Sequence, residues 1–201
     1  TLCDTYNYLE EVPAYPTEII KTNNGQVVSA TKYDYVQQGI NEDHYVPSKV
    51  WKGDVTSGLT PPNIEYSSES TYSNYDAYGN PRQVIDRNGV VICYIWGYNG
   101  CYPVAKIENS NYTILLGYGI GTTYPGALPT DIETQLRNAP EENFLVTTYT
   151  YKPLVGITSI TDPSGHSVYY EYYDDGRLHY IRDHKGKALN SYDYHIVTDN
   201  Q

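Results

Sequence analysis

The chain has 201 residues, with 25 Tyr against 1 Phe, 2 Trp and no Met, and carries a formal net charge of −11. That length suits one domain with a core and is too short for three. The acidic balance repels nucleic-acid phosphates, which argues against such a partner, and no apolar run is long enough to cross a membrane as a helix.

Tyrosine is a strong strand former with an apolar ring and a polar tip, so the composition points to an all-β protein. Residues 15–35 open as a hairpin turning at Asn23-Asn24-Gly25, since Asn-Gly between strand-like runs is a strong hairpin signal. A polar loop over 37–44 leads to a strand at 45–52, and Gly53, Gly58, Pro61 and Pro62 mark a loop over 53–65. Strands are expected at 66–76, 81–86, 90–98 and 101–108, with turns at Gly79-Asn80, Asn88-Gly89 and Asn99-Gly100. The last turn, read as a two-residue one, pairs Tyr98 with Cys101 and sets Cys93 opposite Lys106, too far from Cys101 for a disulfide. All three cysteines are read as thiols. Residues 109–144 break the pattern as a non-repeat insertion. It contains Gly117, Gly119 and Gly121, read as flexible, and one short helix over 131–137 with Thr130 as N-cap and Glu133 closing a capping box. Hairpins resume over 145–197.

The strongest feature is a repeat. Tyr75-Asp76-Ala77-Tyr78-Gly79 is followed by Asp86-Arg87-Asn88-Gly89. Tyr149-Thr150-Tyr151, Gly156 and Asp162-Pro163-Ser164-Gly165 come next, then Tyr170-Glu171-Tyr172, Gly176-Arg177-Leu178, Asp183-His184-Lys185-Gly186 and Tyr192-Asp193-Tyr194. Asp162 and Asp183 stand 21 residues apart, a period that fits two short strands and two turns. In each Asp-x-x-Gly the glycine supplies φ > 0 and the aspartate can accept from backbone amides further on. Tyr-x-Tyr sets both rings on one face, so neighbouring units are expected to lay their tyrosines side by side as ladders. These motif residues explain a fold and require no reaction.

This pattern resembles the tyrosine-aspartate (YD) repeats of the Rhs family of bacterial surface and secreted proteins. The likeness is clear over 72–106 and 145–198 and weaker over 5–52. Two departures are Tyr173 in place of the unit's Asp and Ile-Thr after Gly156. The resemblance implies an antiparallel array of β-hairpins, one twisted sheet or two packed sheets. It also implies a structural, non-enzymatic fragment of a larger cell-surface or secreted protein, such as a shell or display scaffold. The partners would then be adjacent repeats of the parent chain. The start at Thr1 without a signal segment fits an excised piece. The whole of 1–201 reads as a single repeat-built domain with hairpin units about 5–52, 66–108 and 145–198.

Two other function classes stay open. Trp96, Tyr98, Tyr102 and Tyr118, near the insertion, could stack on sugar rings as a carbohydrate-binding platform, or pack the insertion onto the sheet. Trp51 reads as a core residue. Paired carboxylates among Asp162, Asp174, Asp175, Asp183 and Asp193 could serve a hydrolase, although turn positions account for Asp162 and Asp183. His44, His166, His179, His184 and His195 have no metal-finger spacing, so no metal and no cofactor are expected.

Overall fold

The computed structural model describes residues 2–8, 15–38, 44–55, 64–139 and 143–194, with the side chains of residues 2 and 3 excepted. It is all-β. Thirteen strands pair antiparallel in chain order: β1 (Leu2–Tyr8), β2 (Pro16–Asn23), β3 (Gln26–Gln37), β4 (Tyr45–Gly53), β5 (Tyr66–Ser73), β6 (Gln83–Asp86), β7 (Val91–Gly97), β8 (Tyr102–Glu108), β9 (Leu145–Lys152), β10 (Gly156–Thr161), β11 (Ser167–Tyr172), β12 (Leu178–Arg182) and β13 (Ala188–Ser191). Each strand after the first pairs with its predecessor. Two short helices, α1 (Tyr112–Gly117) and α2 (Thr130–Arg137), lie between β8 and β9. The loops expected at 37–44 and 53–65 fall partly outside the described residues, as do Cys3's thiol and His195.

The chain divides into two compact units, Thr1–Cys93 and Tyr94–Gln201. In the first unit Ile20, Val27 and Ala30 form a buried cluster, with Val55, Ile64 and Tyr66 packed against it. Asn24 (φ 51°) and Gly25 (φ 80°) make the turn between β2 and β3, and Asn23 pairs with Gln26 across it. Both central residues are left-handed, as a two-residue hairpin with right-handed strand twist demands.

In the second unit Ile95, Val104, Ala105, Ile107 and Val146 of the sheet are buried, and so are Leu115, Ile120 and Leu136 of the insertion. The insertion is therefore part of the core, and the Gly-x-Gly-x-Gly run is packed through Ile120, which is 2% exposed. Helix α1, absent from the sequence expectation, is capped by Asn111, whose side chain accepts from Ile114 N at 3.0 Å. Helix α2 occurs where expected but is capped differently. Pro129 is the N-cap and Thr130 is already helical. Glu133 does not close a capping box on Thr130; it accepts from Arg137 Nε at 2.8 Å and from Thr148 Oγ1 at 3.0 Å. The Arg137 guanidinium continues to the carbonyls of Val146 (3.0 Å) and Asp162 (2.9 Å), fastening α2 to β9 and to the turn after β10.

The turn at Asn99-Gly100 is wider than a two-residue loop. Cys101 N donates to Tyr98 O at 3.3 Å, but Tyr98 is itself left-handed (φ 50°), so β7 stops at Gly97 and β8 starts at Tyr102. Cys93 and Cys101 are thiols outside any disulfide, the first buried and the second exposed. Trp51 is half-buried, in place of the core position expected. Its indole N–H donates to Asp34 at 2.8 Å, and Lys49 Nζ sits 3.7 Å from the ring centre.

Candidate functional site

The repeat turns share one geometry. In Asp76-x-x-Gly79, Asp86-x-x-Gly89, Asp162-x-x-Gly165 and Asp183-x-x-Gly186 the glycine N–H donates to the aspartate C=O at 2.9–3.1 Å. The aspartate N–H donates in turn to the carbonyl four residues on, at 2.9–3.0 Å. Each glycine has φ between 81° and 84° or, for Gly186, 80°. This is a type I turn closed by a left-handed residue; at 86, 162 and 183 it forms a three-residue hairpin connection, whereas Asp76–Gly79 lies within the longer loop between β5 and β6. The aspartate Oδ1 accepts from the amides two and four residues on, for example Ser164 N and His166 N, both at 2.9 Å. The turn at Tyr173–Gly176 keeps the same backbone bonds. Tyrosine cannot accept there as a carboxylate does, and Asp175 instead takes Arg177 N at 3.0 Å.

These bonds bear on chemistry. Amide donors hold Asp86 and Asp183 below the usual carboxylate range, and for Asp162 the largest cause is the Ser164 hydroxyl. A general acid needs the opposite shift, towards neutrality. Asp76 is the buried copy, 2% exposed, and its second oxygen accepts from Asn80 Nδ2 at 3.1 Å.

Tyr98 and Tyr102 do come together, with Tyr151 as a third ring that the sequence did not point to. Tyr102 and Tyr151 stack with centroids 4.6 Å apart, and Tyr98 stands edge-on to both at 5.6 and 5.7 Å. Their hydroxyls are occupied. Tyr98 Oη donates to Tyr151 O (3.1 Å) and accepts from Tyr151 N (3.0 Å); Tyr151 Oη donates to Pro103 O (2.8 Å); Tyr102 Oη accepts from Leu154 N (3.4 Å). Burial pushes the Tyr151 phenol up to about 12. Tyr118 is elsewhere, edge-on to Phe144 at 5.8 Å. Trp96 is half-buried, and its carbonyl accepts from Tyr124 N at 2.9 Å, where insertion backbone meets β7. The four residues thus do not make one flat platform.

Between β9 (Tyr149, Tyr151) and β11 (Tyr170, Tyr172) the expected tyrosine ladder does not arise, because β10 lies between them. Two strand spacings, roughly 10 Å, separate such rings. The hydroxyls reach backbone instead: Tyr172 to Ile157 O (2.7 Å), Tyr35 to Pro16 O (2.9 Å), and Tyr75 to Pro47 O. All three acceptors sit where the ladder register slips. Gly156 makes room for one of them, since a Cβ there would lie 2.5 Å from the Tyr172 hydroxyl. In the last hairpins Tyr173 stacks on His179 at 4.0 Å, Arg177 lies 4.6 Å over Tyr194, and Tyr192 N donates to His179 O at 2.9 Å.

Among the described residues no group of three or more His, Cys, Asp or Glu is placed to hold a metal. His166 and His184, on successive turns, have ring centres 4.7 Å apart. Burial raises the Cys93 thiol to about 12, which keeps it from acting as a thiolate nucleophile at neutral pH. No helix among the described residues is long and apolar enough to cross a membrane. No family model matches the chain, and no curated protein matches it.

Proposed function

We propose that this chain is a piece of structural scaffold built from tyrosine-aspartate repeats of the Rhs kind, working at a cell surface or in a secreted protein, with neighbouring repeats of its parent chain as partners. The observation that carries this reading is the recurrence of one five-residue turn at 76, 86, 162, 173 and 183 between strands that pair only with their sequence neighbours. Such an array grows by nearest-neighbour addition, with stability close to a sum of unit and interface terms. The turn carboxylates are spent on backbone amides and the tyrosine hydroxyls on carbonyls, which suits a load of geometry more than a reaction.

The test is to append one further 21-residue unit after Ser191, copied from 162–182, and measure thermal unfolding. The scaffold reading expects a Tm rise of several degrees with a single transition. An unchanged or lowered Tm, with the added unit unfolded by circular dichroism, contradicts it.

A further inference from the structure

The first unit carries a groove of about 390 Å³, lined by Thr5 and Asn7 of β1, Glu18, Ile20 and Thr22 of β2, and Ile64 and Tyr66. Its construction follows from register. Thr5 is opposite Ile20 and Asn7 opposite Glu18, and alternate residues along a strand share a face. Ile20, 7% exposed, forms the floor, and Ile64 and Tyr66 pack against the cluster to which it belongs.

Among the described residues Glu18 is the only charge lining the groove. Its Oε1 accepts from the Tyr66 hydroxyl at 2.7 Å and its Oε2 from the Asn7 side-chain amide, both neutral donors. Lys32 is opposite Glu18 on β3, but it is exposed, does not line the groove, and makes no ion pair with Glu18. Burial, and then the bond to Glu18, push the Tyr66 phenol well above the ordinary tyrosine range. The Tyr66 proton and one Asn7 amide proton are therefore committed to Glu18. What Glu18, Tyr66 and the Asn7 carbonyl have left to offer is acceptor capacity, together with one negative charge.

We propose that this groove binds a primary ammonium group on an apolar stem, as in an alkylamine or a lysine side chain, with the ammonium on Glu18 and the stem along Ile20 and Ile64. An ammonium brings three donors and no acceptor, which matches the Glu18 end of the groove, where the acceptors and the charge lie; the Thr5 hydroxyl on the groove wall can accept as well as donate. The bond to a carboxylate is charge-assisted, and the Tyr66 ring adds a cation–π contact. A four-carbon stem of the lysine kind suits the apolar floor.

The folded protein is titrated by NMR with three probes: pentylamine, Nα-acetyl-lysine amide, and the same amide with its side-chain nitrogen acetylated. Saturable shifts at Asn7, Glu18 and Tyr66 are expected with the first two and none with the third. Tighter binding of pentylamine assigns the site to free amines, and tighter binding of the lysine amide to lysine borne on a chain. Glu18→Gln weakens binding at least tenfold. Should that variant lose its fold, Thr5→Trp, at an exposed position, fills the groove and abolishes binding with the fold intact. No saturation with either ammonium probe, equal binding of the acetylated probe, or full binding by folded Glu18→Gln or Thr5→Trp overturns the proposal.

Discussion

The insertion and the last hairpins sit in the same unit and are held together by different physics. Residues 95–148 carry Ile95, Val104, Ile107, Leu115, Ile120, Leu136 and Val146, every one of them 4% exposed or less. Residues 152–194 contain no buried residue at all. There the chain relies on turn aspartates, ladder bonds and tyrosine hydroxyls. The insertion and the strands it packs on thus share a core, and the last hairpins have none. A repeat unit that cannot bury an apolar face alone depends on its neighbours, which is the general logic of stacked arrays.

Breaking the core region has the largest expected effect. Leu136→Ala removes a side chain 1% exposed, and a cost of about 2–5 kcal/mol is expected by urea unfolding. An equally large cost from Ile181→Ala, in half-buried β12, would erase the distinction between the regions.

The turns come next and separate by burial. Asp76→Ala leaves the amides of Tyr78 and Asn80 without an acceptor at a site 2% exposed, so about 1–3 kcal/mol is expected. Asp183→Ala, at an exposed turn, leaves global stability nearly unchanged and speeds amide exchange at Lys185 and Lys187 only. Global destabilisation by Asp183→Ala equal to that of Asp76→Ala would show that exposure does not set the cost.

Titration sharpens the same contrast. Asp86, Asp162 and Asp183 have folded values below the unfolded value, near about 3.9. Their contribution is complete above that value and is lost as pH falls through the depressed ones. Carboxyl NMR should find all three titrating below about 3.9; midpoints at or above it would contradict the turn geometry. At the alkaline end Tyr75 and Tyr151 are raised to about 12. Their contribution is complete below about 10, the unfolded value, and is lost as pH rises from there. Absorbance at alkaline pH should therefore show these two ionising late. The smallest effect is at the thiols: Cys101 reacts with a thiol reagent in the native state, and buried Cys93 reacts only on unfolding.

Much of the architecture was legible because it is written in local chemistry. Asn24-Gly25 and the Asp-x-x-Gly turns need left-handed residues at fixed places, and the sequence supplies them. Helix α2 was visible through its bounds, yet not its cap, because Glu133 serves Arg137 and Thr148 across the fold. Helix α1 has six residues and no acidic residue in its first turn, so only Asn111 marked its start. The candidate aromatic platform was half legible. Tyr98 and Tyr102 flank one turn and so meet, but Tyr151 reaches them only through the pairing of β8 with β9. Tyr118 is turned away to Phe144 by α1 and its following turn. Glu18 gave no motif, since its partners Asn7 and Tyr66 come from 11 and 48 residues away.

Native-state hydrogen exchange tests the central contrast most directly, since it reports opening free energies strand by strand. Amides of β8 and the first half of β9 should exchange only through global unfolding, while β11 to β13 exchange through a cheaper opening that leaves the core intact. Equal protection of both regions, up to the global value, would contradict the account.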